Sequence, residues 1–173
     1  MNPVRKYICF LVIGFLGIFI QGTLLKSVAP ESMMVPNLAL VLVVFLAFYD
    51  VTISAVILAF LLGMEMDFAT GLLVGPWAAS FVAVYGIVSS ISQRVFVDSP
   101  VAVSLAVFFS NLLATFIYLA FMFQFTPAPM NPISLSFGMI VESLFSAVLA
   151  PVIFTGLKKA LLPKTSSSGS RFN

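Results

Sequence analysis

The chain has 173 residues, of which 61% are hydrophobic and only 8% are charged, and its net charge is +2. A soluble domain carries roughly 25% charged residues, so this chain has too few polar side chains to cover a water-soluble globule. The sequence therefore predicts an integral membrane protein. The lack of histidine excludes Ser-His-Asp and Cys-His catalysis and histidine metal sites, and the single cysteine, Cys9, excludes an intrachain disulfide. We expect no metal, no cofactor and no nucleic-acid partner.

Apolar runs separated by proline, glycine and polar residues predict six membrane-spanning helices. The first run follows Arg5 and Lys6, and we interpret it as a retained span because Pro30 would follow the small residues of a signal-peptidase site. The second and fourth runs are shorter than the ~20 residues that cross ~30 Å of hydrocarbon, so they should lie inside the bundle or begin in the interface. The predicted spans cover residues 7–25, 35–49, 51–68, 77–91, 100–125 and 133–157.

The distribution of basic residues predicts the orientation. With six crossings and a cytoplasmic amino terminus, Lys26 is the one basic residue outside. If residues 35–68 crossed only once, Arg94 and the basic tail would move outside, against the positive-inside bias. We therefore expect both termini in the cytoplasm, one transmembrane domain over residues 1–163 and a disordered serine-rich tail over 164–173. The cytoplasmic basic residues would be Arg5, Lys6, Arg94, Lys158, Lys159, Lys164 and Arg171.

Two charged residues fall at the predicted cytoplasmic face. Asp50 lies at the tight turn between the second and third spans, where it is a candidate N-cap for the third. Arg94 follows the fourth span and is interpreted as an orientation anchor. An ion pair between Asp50 and Arg94 is possible, although an exposed pair stabilises by only ~0–1 kcal/mol.

A ladder of glycine and aspartate is the most specific pattern in the chain. Gly63, Asp67, Gly71 and Gly75 recur at every fourth position, so a helix would stack them on one side. Glycines there let another backbone approach closely. Asp67 either extends to the lipid headgroups or accepts the backbone N–H groups that begin the fourth span near Trp77. Glu65, at the same end of the third span, is expected to extend to the headgroups, and Trp77 fits a lipid-facing aromatic belt at that depth.

Two polar residues lie deep inside the last two spans. Asn111 and Glu142 are each about halfway along their helices, so neighbouring helices would bring them together near the membrane midplane. We expect a structural hydrogen bond between them, with Ser110 or Thr115 as a further partner. The functional alternative is a proton or cation relay, which needs several ionisable groups in series, and the sequence offers none besides Glu142 at that depth.

The chain resembles the rod-shape-determining MreD family of small polytopic proteins of the bacterial inner membrane. It departs from the family's pattern at Asn37, where an acid is common, and at Glu142, where a neutral polar residue is expected. The resemblance covers almost the whole chain. It is carried by Pro36-Asn37-Leu38, the glycine–aspartate ladder, Tyr85-Gly86, Arg94 and Leu149-Ala150-Pro151.

The resemblance implies a non-catalytic component of the cell-elongation machinery that controls cell shape and peptidoglycan synthesis. Such a protein binds MreC and works with the MreB filament, a RodA-type glycosyltransferase and a class B penicillin-binding transpeptidase. It also implies a bundle similar to the six-helix substrate-binding subunits of energy-coupling-factor vitamin transporters. The helix face around Gly63, Asp67 and Gly71 is the candidate for partner contact or for shaping the external side.

Two other functions remain open from the sequence. The substrate-binding subunit of a vitamin importer would need an external pocket lined by convergent polar groups. The predicted external side offers only Lys26, Glu31, Glu65 and Asp67. A membrane enzyme would need paired inward-facing acids or bases, which the spans lack, so we expect no enzymatic activity.

Overall fold

A computed structural model describes residues 3–22, 35–70, 73–92, 99–125 and 132–161. Within these ranges all regular structure is helical. The six helices are α1 (Pro3–Ile20), α2 (Leu38–Tyr49), α3 (Ile53–Thr70), α4 (Pro76–Ser92), α5 (Pro100–Phe125) and α6 (Pro132–Leu161). Three segments are long and apolar enough to cross a membrane, namely Ile53–Thr70, Pro100–Phe125 and Phe137–Ala160. The all-helical prediction is confirmed and the three long apolar helices support a membrane protein, whereas six crossings remain a prediction.

The short helix α2 lies at the centre of the bundle. Every residue from Ala39 to Ala47 is buried, and the helix contacts all five others. A helix that is apolar on every side can only be surrounded by other apolar surfaces. Its 12 residues extend for about 18 Å, less than the hydrocarbon thickness, so the prediction that this segment lies inside the bundle is confirmed.

The amino terminus of α2 is fixed by Asn37. The Asn37 Oδ1 accepts a hydrogen bond from the Leu40 N–H at 3.1 Å, which is the bond of an N-cap residue. The Asn37 N–H itself donates to Ser146 Oγ of α6 at 2.9 Å. The helix therefore begins at Leu38, two residues after Pro36.

The turn between α2 and α3 uses Asp50 differently from the prediction. The Asp50 N–H closes α2 by donating to the Leu46 carbonyl at 2.8 Å, so Asp50 ends one helix and does not begin the next. The cap of α3 is Thr52, whose Oγ1 accepts from the Ala55 N–H at 3.3 Å. The prediction of Asp50 as N-cap is wrong because α3 begins at Ile53, and the cap position directly precedes it.

Four chain segments meet around Asp50, and we call this the Asp50 end of the bundle. The Lys6 Nζ of α1 lies 2.8 Å from Asp50 Oδ2, and the Tyr85 hydroxyl of α4 donates to the Asp50 carbonyl at 2.8 Å. The Lys158 Nζ of α6 lies 4.9 Å from the centre of the Tyr49 ring. The ion-pair partner of Asp50 is thus Lys6, while the proposed alternative, Arg94, lies outside the described residues.

Aromatic packing fills the core beside α2. The Phe45 ring meets Phe154 of α6 edge-on, with ring centroids 5.1 Å apart, and it also contacts Phe10 of α1. The outward faces carry large apolar side chains, such as Ile53 at 82% exposed and Val152 at 72% exposed. An apolar exterior around an apolar core is the arrangement expected when lipid is the solvent.

Candidate functional site

Asp67 joins the end of α3 to the start of α4. Its Oδ2 accepts from the Gly75 N–H at 2.8 Å and from the Ala78 N–H at 3.2 Å, and its Oδ1 accepts from the Trp77 N–H at 2.9 Å. The side chain is only 1% exposed. The prediction that Asp67 receives the backbone N–H groups that begin the fourth span is confirmed, and the alternative in which it extends to the headgroups is wrong.

The sequence around the junction explains why a carboxylate is needed there. The first N–H groups of a helix have no partner within that helix and carry partial positive charge. Pro76 begins α4 and has no N–H, which leaves the donors on either side of it for Asp67. A hydrogen bond to a charged group contributes about 1.5–3 kcal/mol, so three of them bind the two helices strongly.

Gly75 supplies the backbone conformation that the junction requires. Its φ of +121° lies in a region that side chains larger than hydrogen rarely adopt. This conformation turns the Gly75 N–H towards Asp67 while the chain reverses into α4. A substitution here would strain the backbone even though open space surrounds the position.

Gly63 allows α3 and α4 to approach closely one turn below Asp67. A Cβ atom at Gly63 would overlap the Ala78 Cα and would lie 2.8 Å from the Ala78 nitrogen and the Trp77 oxygen. The neighbour that the glycine admits is therefore α4 of the same chain. The structure assigns Gly63 and Asp67 to the fold of this helix pair, because α4 covers the face that a partner would need.

The ladder does not continue as a single helical face. Helix α3 ends at Thr70, and Gly75 lies in the connection to α4, because its positive φ is incompatible with a right-handed helix. Gly71 lies outside the described residues. The four-residue spacing thus marks two helical positions, Gly63 and Asp67, and one turn position, Gly75. We call these three residues, together with the N–H groups of Trp77 and Ala78, the Asp67 junction.

Trp77 packs inside the protein at this end. It is 5% exposed, and its ring stacks on Tyr118 of α5 with centroids 4.4 Å apart and planes inclined by 19°. The expectation that Trp77 belongs to a lipid-facing aromatic belt is wrong, because its backbone is held by Asp67 and its ring by α5. The junction is therefore packed against a third helix.

A second polar cluster lies in the middle of the bundle, where α2 begins between α5 and α6. Asn111 Nδ2 donates to Ser143 Oγ at 3.0 Å, and the amides of Asn111 and Asn37 lie beside the Glu142 carboxyl. The predicted proximity of Asn111 and Glu142 is confirmed. The Asn111 amide thus also bonds to Ser143, a partner that the sequence did not reveal because serine is common in apolar helices.

Several atoms near this cluster lack partners within the described part of the chain. They are Asn111 Oδ1, Thr115 Oγ1 and, apart from the nearby Glu142 carboxyl, Asn37 Nδ2. Asn37 and Asn111 are both fully buried. Polar atoms in such positions usually bind other groups or ordered water. Glu142 is the only ionisable side chain among the residues of this cluster.

The chemistry of these two sites is that of helix attachment. The described residues contain no group of three or more His, Cys, Asp or Glu side chains arranged to hold a metal. Comparison of the chain with protein-family models, curated proteins and solved structures finds no match.

Proposed function

We propose that the chain is a non-catalytic, MreD-like component of the bacterial cell-elongation complex in the inner membrane. In this proposal it crosses the membrane six times with both termini in the cytoplasm, as a bundle similar to the substrate-binding subunits of energy-coupling-factor transporters. It binds MreC and acts with the MreB filament, a RodA-type glycosyltransferase and a class B transpeptidase. Through them it controls peptidoglycan synthesis and cell shape.

The observation that carries the proposal is the Asp67 junction. The glycine–aspartate ladder is the specific part of the resemblance to the MreD family. The junction holds α3, α4 and α5 together through three backbone bonds and one ring stack. The three backbone bonds hold the Asp67 side chain in one orientation, and this fixes the shape of the surface around it. Such rigidity suits a protein that positions others.

The partner surface in this proposal lies away from Gly63 and Asp67, since α4 of the same chain covers them. The small residues Gly14 and Gly17 of α1 are also used internally. A Cβ at Gly14 would overlap the Leu62 side chain of α3, and one at Gly17 would lie 3.5 Å from Leu38 Cβ of α2. MreC would therefore contact the exposed outer faces of the helices.

The test is depletion of the protein in its host, followed by complementation. Depletion should increase cell width and round the cells. Wild-type protein and Thr115→Val, a change at a buried hydroxyl that has no hydrogen-bond partner among the described residues, should restore rods. Asp67→Ala should fail to restore them and should lose co-purification with MreC. Normal cell width after full depletion would refute the proposed role.

A second candidate function is supported by the unpartnered atoms beside Glu142. Asn37 Nδ2, Asn111 Oδ1 and Thr115 Oγ1 would be suitable groups for a small polar ligand, as in the substrate-binding subunit of a vitamin importer. Uptake of a panel of radiolabelled vitamins distinguishes the two functions. Loss of uptake of one vitamin in depleted cells that keep their width would favour the transporter.

A further inference from the structure

A cleft separates α1 from α3 near the Asp67 junction. Its volume is about 480 Å³, within the range of about 300–1,000 Å³ that is typical of small-molecule sites. Most of its wall is apolar or aromatic. The lining residues are Phe15, Ile18, Phe19 and Gly22 from the α1 side, and Glu65, Phe68 and Ala69 from α3.

Glu65 is the only charged side chain among the described residues that line the cleft. Its Oε2 is buried and has no hydrogen-bond partner among the described residues. The atom lies against α1, 3.3 Å from the position that a Cβ of Gly14 would take. The sequence suggested that Glu65 extends to the headgroups, but the structure directs one of its oxygens between two helices, where a carboxylate without a partner is costly.

The aromatic walls complement the same kind of ligand as the carboxylate. Phe15, Phe19 and Phe68 are 60%, 58% and 67% exposed, respectively, so their rings are free to contact a ligand. The face of an aromatic ring attracts a cation within about 6 Å. A carboxylate beside three such rings favours a positively charged group, and the surrounding apolar surface favours hydrocarbon attached to it.

The position of Glu65 along α3 matches the depth of a lipid headgroup. The residue lies five positions before Thr70, the last residue of α3, which places it about 8 Å below the helix end. A lipid in the adjacent leaflet could reach this depth with the polar part of its headgroup while its chains follow the phenylalanine side chains. A free metal ion is a poorer fit, because the described part of the lining offers a single carboxylate.

We propose that the α1–α3 cleft binds a phospholipid with a primary ammonium headgroup, as in phosphatidylethanolamine. The ammonium donates a hydrogen bond to the Glu65 carboxylate, and the acyl chains pack on Phe15, Phe19 and Phe68. A quaternary ammonium cannot donate this bond, and an anionic headgroup is repelled by the carboxylate. The site does not depend on the proposed role in cell elongation, only on the membrane location.

The experiment measures the thermal stability of the purified full-length chain in detergent while lipids with identical acyl chains are added. Phosphatidylethanolamine should raise the Tm of the wild type saturably, phosphatidylcholine less, and phosphatidylglycerol least. Glu65→Gln should weaken the response to phosphatidylethanolamine about ten-fold in half-saturating concentration, because a charge-assisted bond is lost. Glu142→Gln, which removes a carboxylate outside the cleft, should leave the response to the lipid unchanged.

Several results would overturn the proposal. An equal response to all three lipids, no response in the wild type, or an undiminished response in Glu65→Gln would each show that the cleft does not select an ammonium. If Glu65→Gln fails to fold, Phe19→Leu and native mass spectrometry of the wild type provide the test, and equal retention of ethanolamine and glycerol lipids contradicts the site. A Tm that changes with Lys26→Gln but not with lipid would assign the Glu65 partner to the chain itself.

Discussion

The glycines of this chain differ in what a side chain would meet at each position. At Gly63 a Cβ would overlap the backbone of α4, whereas at Gly86, on the exposed side of α4, it would meet nothing within 4 Å. Backbone atoms at a helix crossing cannot move aside as a flexible side chain can. Gly63 is therefore required by the packing, and Gly86 is not.

Alanine substitutions at these two positions should have opposite effects. Gly63→Ala should push α3 from α4 and weaken the bonds of Asp67, with a loss of at least about 1–3 kcal/mol from overpacking. Gly86→Ala should be neutral or stabilise by up to about 1 kcal/mol, because alanine favours the helix. Thermal unfolding of both variants in the same detergent tests the pair. Equal Tm values would contradict the α3–α4 crossing described above.

Asp50 should make the stability of the protein dependent on pH. Burial alone would raise the pKa of Asp50, but hydrogen bonds from Lys6 and Thr52 and the charge of Lys6 hold that pKa below its usual value of 3.8. A carboxyl with a depressed folded-state pKa contributes stability above its unfolded pKa and loses this contribution as the pH falls through the folded value. The wild type should thus lose stability below about pH 3.8.

The measurement compares Tm between pH 7 and pH 2 for the wild type and for Asp50→Asn. The variant should be less stable at pH 7, and the difference between the two proteins should shrink as the acid protonates Asp50. Lys6→Gln should reduce the same pH dependence, because it removes one of the partners that depress the pKa. A constant difference across the whole range would show that folding leaves the pKa of Asp50 unchanged, which would contradict its pairing with Lys6.

At the scale of helices, α2 is attached at its two ends and is surrounded by apolar contacts between them. Its start is tied to Ser146 of α6, and its end is tied through Asp50 to Lys6 of α1. The Ser92 hydroxyl of α4 also donates to the Ala47 carbonyl near the end of α2 at 2.9 Å. The polar groups thus set the position of a helix whose uniform apolar surface would permit it to slide.

The α5–α6 pair should respond differently to two substitutions one helical turn apart. Asn111→Leu removes the donor to Ser143 and the amide beside Glu142, and it should lower the stability by about 1–3 kcal/mol and reduce the yield of folded protein. Thr115→Val should be tolerated, because Thr115 Oγ1 has no partner in the described residues. Expression yield and Tm of both variants are the measurements. Wild-type values for Asn111→Leu would remove the structural role of this cluster.

At the scale of the whole molecule, the proposed topology predicts where each loop is exposed. Reporter fusions after residue 97 and after residue 173 should be active in the cytoplasm. In a Cys9→Ala background, single cysteines at positions 31 and 128 should react with a membrane-impermeant maleimide from outside. Labelling that places the two chain ends on opposite sides of the membrane would contradict six crossings and would remove the cytoplasmic assignment of the basic residues.

The sequence predicted the helices well and their attachments unevenly. Apolar runs ended by proline or polar residues placed α5 at its observed bounds, and the spacing of Asp67 to Gly75 correctly suggested the bonds to α4. The sequence could not reveal that Lys6 pairs with Asp50, because the two residues are 44 positions apart along the chain. The sequence also did not predict the burial of Trp77, since an aromatic residue at the start of a helix can equally face lipid or pack against another helix.

The Asp67 junction also bears on how the chain enters the membrane. Its acceptor and its three donors lie within 12 consecutive residues, so the backbone amides can satisfy the carboxylate without any later part of the chain. The two helices can then partition from the translocon as one hairpin. In contrast, the 12 residues of α2 are too few to cross the hydrocarbon alone. This helix is therefore expected to reach its final position only when the later helices α4, α5 and α6 pack around it.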